Sequence, residues 1–137
     1  MKQREIKFRG YSKDENTWVY GFPYIGIPET YYSYIVPEWL YNGYPSDGNL
    51  VFEKSYEVDY KTITQYTGKQ DKNGREIYEG DIDSHGYVIM WSERKALFCP
   101  HFYQPTLERW SEASYPLDAE SIEIVGNFYE TPQLIKS

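Results

Sequence analysis

Apolar and polar side chains alternate with a period of two along this chain, and no long stripe of helical period recurs, so short strands are predicted and long helices are not. In Arg4-Glu5-Ile6-Lys7-Phe8-Arg9 the residues Ile6 and Phe8 share one face and Lys7 and Arg9 the other, which predicts a first strand that buries Ile6 and Phe8. Lys13-Asp14-Glu15-Asn16 supplies turn residues before Thr17-Trp18-Val19-Tyr20-Gly21-Phe22, and the two runs read as a hairpin. Residues 23–49 are punctuated by Pro23, Pro28, Pro37 and Pro45 and by Gly26, Gly43 and Gly48. Those residues forbid a long helix and leave loops with short extended pieces such as 31–36.

Beyond this region, Tyr56 to Asp59 and Thr62 to Thr67 read as extended, and the Asn73-Gly74 pair predicts a tight turn. A compact series of strand candidates follows: 80–83, 87–91, 95–102 and 121–125. Short turns separate the first three, and a longer excursion over 104–119 precedes the last, with room for one helical turn over 105–110. Short strands, tight turns and one long loop describe a small barrel of the SH3 type.

The length of 137 residues allows one domain or two small β units. No apolar run approaches the roughly 20 residues of a membrane span. No apolar segment follows the first basic residues, and one cysteine makes no internal disulfide, so a cytoplasmic protein is expected. Charge changes the picture further. With 14 Lys and Arg against 21 Asp and Glu, the net charge of −7 argues against affinity that rests on neutralising phosphates. The excess is uneven, because Lys2, Arg4, Lys7 and Arg9 face only Glu5 in the first ten residues, so one basic strand precedes an acidic body. Aromatic residues make up 19% of the chain, 16 of them tyrosine, and half lie within residues 17–60. Tyrosine suits half-buried strands and protein interfaces, where the ring is covered and the hydroxyl still finds a partner. Base-stacking platforms normally lie in a basic groove, and this segment is not basic.

Candidate chemistry is sparse. Asp81, Asp83 and His85 stand two apart, so an extended strand would carry all three to one face as potential metal ligands, yet His85-Gly86 also reads as a turn and the set as a solvated strand end. Cys99 and His101 are likewise two apart, but a nucleophile needs a base in hydrogen-bond reach and a third group to orient it, and a buried cysteine in a strand is the simpler reading. No glycine pattern has the strand-to-helix setting of a phosphate loop, and one Cys with two His makes a structural zinc site improbable. No catalytic residue, metal or cofactor is expected.

Three blocks resemble the YopX family of small proteins encoded by phages and prophages: Arg4-Glu5-Ile6-Lys7-Phe8-Arg9, then Thr64-Gln65-Tyr66-Thr67-Gly68 running into Asp71-Lys72-Asn73-Gly74-Arg75-Glu76-Ile77-Tyr78-Glu79-Gly80-Asp81-Ile82, and finally Glu123-Ile124-Val125-Gly126-Asn127-Phe128-Tyr129-Glu130. The resemblance implies an all-β protein with an irregular N-terminal β region and an SH3-like C-terminal barrel, assembled into oligomers. It brings no catalytic residue, because the family has no established activity. After Ile82 the chain departs from the family pattern with Asp83-Ser84-His85-Gly86, and residues 23–55 match no part of it. The expected boundaries are an N-terminal β region over 1–66 and a barrel with a tail over 67–137. The expected function is that of a non-enzymatic homo-oligomer acting through protein contacts with itself or with a host or phage protein. Tyr31, Tyr32, Tyr34, Lys7 and Arg9 are the candidate partner surface. Nucleic-acid association through the basic strand or the barrel is the alternative, and no membrane partner is expected.

Overall fold

A computed structural model of the protein describes residues 5–26, 33–37 and 55–136. It is all-β, and the chain divides into two compact units, Met1–Gln65 and Tyr66–Ser137. Among the described residues the only helical pieces are single 3-10 turns.

Unit 1 is an antiparallel sheet. Strand β1 (Phe8–Ser12) pairs with β2 (Thr17–Ile25), β2 with β3 (Ser33–Pro37), and β3 with β4 (Tyr56–Glu57). On its other side β1 pairs with the first residues of β5 (Thr64–Gln70), through Phe8 opposite Gln65 and Arg9 opposite Thr64. One face carries the core, where Ile35 is fully buried and Gly10 lies so close to Val58 that a Cβ there would approach it to 2.9 Å. Gly21 has a comparable role, since a Cβ would meet the Val36 carbonyl oxygen at 2.0 Å. The predicted hairpin of β1 and β2 is present, and Phe8 shares the core-bearing face with Gly10 as expected, but Ile6 does not join it and the opposite face is covered too. Ile6 precedes the strand and is 54% exposed, while Arg9 is 3% exposed. Both edges of β1 are paired, by β2 and β5, and on the face away from the core Arg9 lays its long stem and flat guanidinium over Trp18, 4.4 Å from the ring centroid.

Unit 2 starts within β5, which from Tyr66 onward pairs with β6 (Glu76–Tyr78) around the Asn73-Gly74 turn, where Gly74 takes a φ of +82°. Its main sheet comprises β7 (Asp81–Asp83), β8 (Val88–Ser92), β9 (Leu97–Gln104), β10 (Arg109–Glu112) and β11 (Ile124–Asn127) in the order β10-β9-β8-β7-β11. Ile77, Ile89, Leu117, Ala119, Ile122 and Ile124 form the core, with Phe98 packed against it. Among the described residues no ladder joins the edge strands β10 and β11, so this part is an open sheet and not a hydrogen-bonded barrel. It curls far enough that Trp110 on β10 and Phe128, just after β11, have ring centroids 6.3 Å apart. Within the excursion, a 3-10 turn over Pro105–Leu107 is followed by β10, a strand the sequence pattern does not announce because Arg109-Trp110-Ser111-Glu112 has a single apolar residue.

Three buried aspartates hold the turns of unit 2. The Asp71 carboxylate accepts from the amides of Asn73 and Arg75 through one oxygen and from the Ile124 amide through the other, tying the β5–β6 turn to β11. Asp81 accepts from the Tyr78 amide, and Asp83 accepts from the amides of His85 and Tyr87. Ser92, which is buried, opens the β8–β9 turn by accepting from the Lys95 amide, and Ala96 closes it in the left-handed region at φ +55°.

Candidate binding site

The structure does not gather Asp81, Asp83 and His85 into one ligand set. The two carboxylates are buried at 0% and 1% exposure and turned to backbone amides, while His85 is exposed on the β7–β8 turn. The strand end is therefore not solvated as expected: Asp83 acts inside the turn, and a carboxylate accepting two amides there replaces the water it loses. Among the described residues no group of three His, Cys, Asp or Glu side chains is disposed to hold a metal.

Cys99 and His101 do share a face of β9, with Sγ 3.9 Å from Nδ1. His101 Nδ1 lies 2.8 Å from the Cys99 carbonyl oxygen, so its short contact is to backbone. Burial, with the Glu112 carboxylate acting in the same direction, pushes the thiol above its ordinary pKa against the opposing charges of Lys95 and Arg94. A thiol kept protonated and fully buried is a packing group.

The five candidate contact residues fall in different settings. Tyr31 and Tyr32 lie outside the described residues. Tyr34, on β3, is half-buried and faces Tyr24 on β2 with centroids 6.4 Å apart. Lys7 pairs with Glu5 at 3.2 Å. Arg9 is not a surface residue: besides covering Trp18, its Nε donates to the Thr64 hydroxyl at 3.3 Å.

The site the sequence pattern does not single out lies in unit 2. Tyr87, Phe102, Tyr103 and Lys136 line an open groove of about 230 Å3. Tyr87 stands just before β8 and the Phe102-Tyr103 pair at the end of β9, so the residue pairing of those strands brings their rings together, with Tyr87 and Phe102 at 5.9 Å. Tyr115, from the excursion after β10, packs 6.3 Å from Tyr87. Burial raises the Tyr115 phenol above its ordinary pKa, reinforced by Tyr87 and by the negative charge of Asp83. Behind Tyr103, the ring of Trp110 lies at 5.5 Å and leads on to Phe128, which is 53% exposed.

The chain's last described residue completes the groove. The Lys136 amide donates to the Gly86 carbonyl at 2.8 Å, and its ammonium stands 5.6 Å from the centre of the Tyr87 ring. Gly86 permits this approach, because its φ is +83° and a Cβ would come within 2.8 Å of both the Lys136 Cβ and its amide nitrogen. The available signal is positional: an aromatic side chain at each of two strand ends, beside the excursion over 104–119.

No match is found among curated proteins. Among solved structures the chain is similar to protein EF1440 from Enterococcus faecalis, at 19% identity and a TM-score of 0.48, over 98% of this chain and 100% of that one. A family model described as YopX protein matches residues 7–136, nearly the entire length, and the chain belongs to the YopX family.

Proposed function

We propose that this protein is a non-enzymatic binding protein that acts through protein contacts as a homo-oligomer, in the cytoplasm of a bacterium carrying a phage or prophage. The observation that supports this reading is the division of labour between its side chains. Groups capable of chemistry face inward, as with Asp71, Asp81, Asp83, Cys99 and His101, and the carboxylates among them are engaged by backbone amides. Large apolar and aromatic side chains stand outward: Tyr20 and Tyr24 on unit 1 are 45% and 47% exposed, and Trp91, Tyr115 and Phe128 on unit 2 are comparably open. Clusters of exposed aromatics are the composition of protein interfaces, where flat rings bury much area at little entropic cost.

The same placement weighs against the nucleic-acid alternative in its basic-strand form, since Arg9 is buried on Trp18 and Lys7 pairs with Glu5. The test is coexpression of two differently tagged full chains in a lysogenic host, with capture through one tag after nuclease treatment. The reading expects the second tag to be retained and any further partner to be a protein. Loss of the second tag, or retention of nucleic acid that falls steeply as salt rises, overturns it.

A further inference from the structure

We propose that the groove of Tyr87, Phe102, Tyr103 and Lys136 binds an extended, proline-containing peptide segment that presents one carboxylate to Lys136. The inference rests on the protein-contact reading above and names the partner chemistry at one site. At about 230 Å3 the groove is smaller than the roughly 300–1,000 Å3 of ordinary small-molecule sites, so it suits one or two side chains of a longer ligand. Its walls are set by strands β8 and β9 and by the docked tail, and are therefore largely formed before a ligand arrives.

The polar atoms decide what enters. The Lys136 ammonium can only donate; it stands over the Tyr87 ring, with no carboxylate in ion-pair range among the described residues. Tyr87 and Tyr103 also line it, and their phenol hydroxyls can donate or accept, that of Tyr87 being hydrogen-bonded with Tyr115. A fitting ligand is therefore rich in acceptors. Addition as a further strand at Tyr87 is closed off, because its amide donates to Asp83 Oδ1 and its carbonyl accepts from the Asp83 amide, while Phe102 and Tyr103 already face Ser111 and Trp110 of β10. A polyproline-type segment meets these terms: it needs no strand edge, offers carbonyls without donors at each proline, lays flat rings on aromatic faces, and loses little entropy on binding. One carboxylate matches the Lys136 ammonium. A polyanion does not, because residues 66–137 carry seven basic and twelve acidic side chains and would repel phosphates beyond the first.

The test is titration of the full chain with a short blocked proline peptide carrying one central glutamate, read by fluorescence anisotropy, beside the same peptide with glutamine. Lys136 is exposed, so Lys136→Gln is expected to keep the parent melting temperature, to weaken the glutamate peptide about tenfold, and to leave the glutamine peptide unchanged. Tyr87→Phe, which removes one hydroxyl and little volume, is expected to weaken both peptides. The proposal is overturned if the parent binds neither peptide at millimolar concentration, if Lys136→Gln affects both alike or neither, or if a glycine-spaced peptide of equal charge binds as well. Displacement of the peptide by single-stranded DNA with a steep salt dependence also overturns it. Should the peptide fail while tagged copies still retrieve each other, the groove assignment falls and the broader reading stands.

Discussion

Asp71→Asn tests how a buried carboxylate holds unit 2 together. The parent side chain accepts three amides at 2.9–3.0 Å, and substitution replaces one of its oxygens with an amide nitrogen that cannot accept. Asn73 and Arg75 are exposed, so water can replace their bonds at little cost, whereas the Ile124 amide sits on a residue that is 5% exposed. A hydrogen bond to a charged group contributes about 1.5–3 kcal/mol, so the Ile124 link alone sets that loss, and the two turn bonds bring the total to about 2–4 kcal/mol. In a unit of this size the melting temperature falls by about 10–20 °C.

The pH dependence supplies a second, sharper reading. Burial raises the Asp71 pKa, but the three amides and the Arg75 charge outweigh it, and the group ends below its ordinary value of 3.8. The unfolded chain therefore takes up the proton first as the medium is acidified. Stability contributed by this carboxylate is fully present above about pH 4–5 and is lost as pH falls through the lowered folded value. Urea denaturation of parent and Asp71→Asn across this range is expected to show a gap at pH 7 that narrows in acid. Equal stability at pH 7, or a gap that does not change with pH, refutes the reasoning.

Two further outcomes follow from local geometry. Ala96→Gly at the β8–β9 turn relieves a left-handed backbone at φ +55° and is expected to raise stability by about 1 kcal/mol in the same urea assay; a loss would show that the alanine methyl packs usefully. Cys99, fully buried and with its pKa raised by burial, is expected to react with a disulfide reagent at least about a thousandfold more slowly in the native state than in urea, since a stability of ~5 kcal/mol leaves so few molecules open.

What the sequence makes legible here is local. Turn chemistry at Asn73-Gly74 and alternation over 87–91 and 95–102 correspond to a turn and to β8 and β9, because both signals depend on neighbours in the chain. The burial of Arg9 opposite the Phe8 face is not legible for a long-range reason: Arg9 is stabilised by Trp18 and Thr64, and nothing in the alternation of residues 4–9 says that these lie beside it. Strand β10 was hidden similarly, its pairing to β9 being set by the register of Trp110 with Tyr103. The aspartates at 81 and 83 read as solvated because charge is the visible property in sequence, while the turn amides that hold them become apparent only in three dimensions. The groove too needs long-range information, a lysine at 136 brought against a glycine at 86.

Sedimentation equilibrium of the full chain at micromolar concentration tests the central claim most directly. The account predicts a mass of at least twice, and a whole multiple of, the 16.3 kDa chain, and a shift toward the single-chain mass in Tyr34→Glu with the far-ultraviolet spectrum retained. A parent protein that sediments as a single 16.3 kDa chain contradicts it.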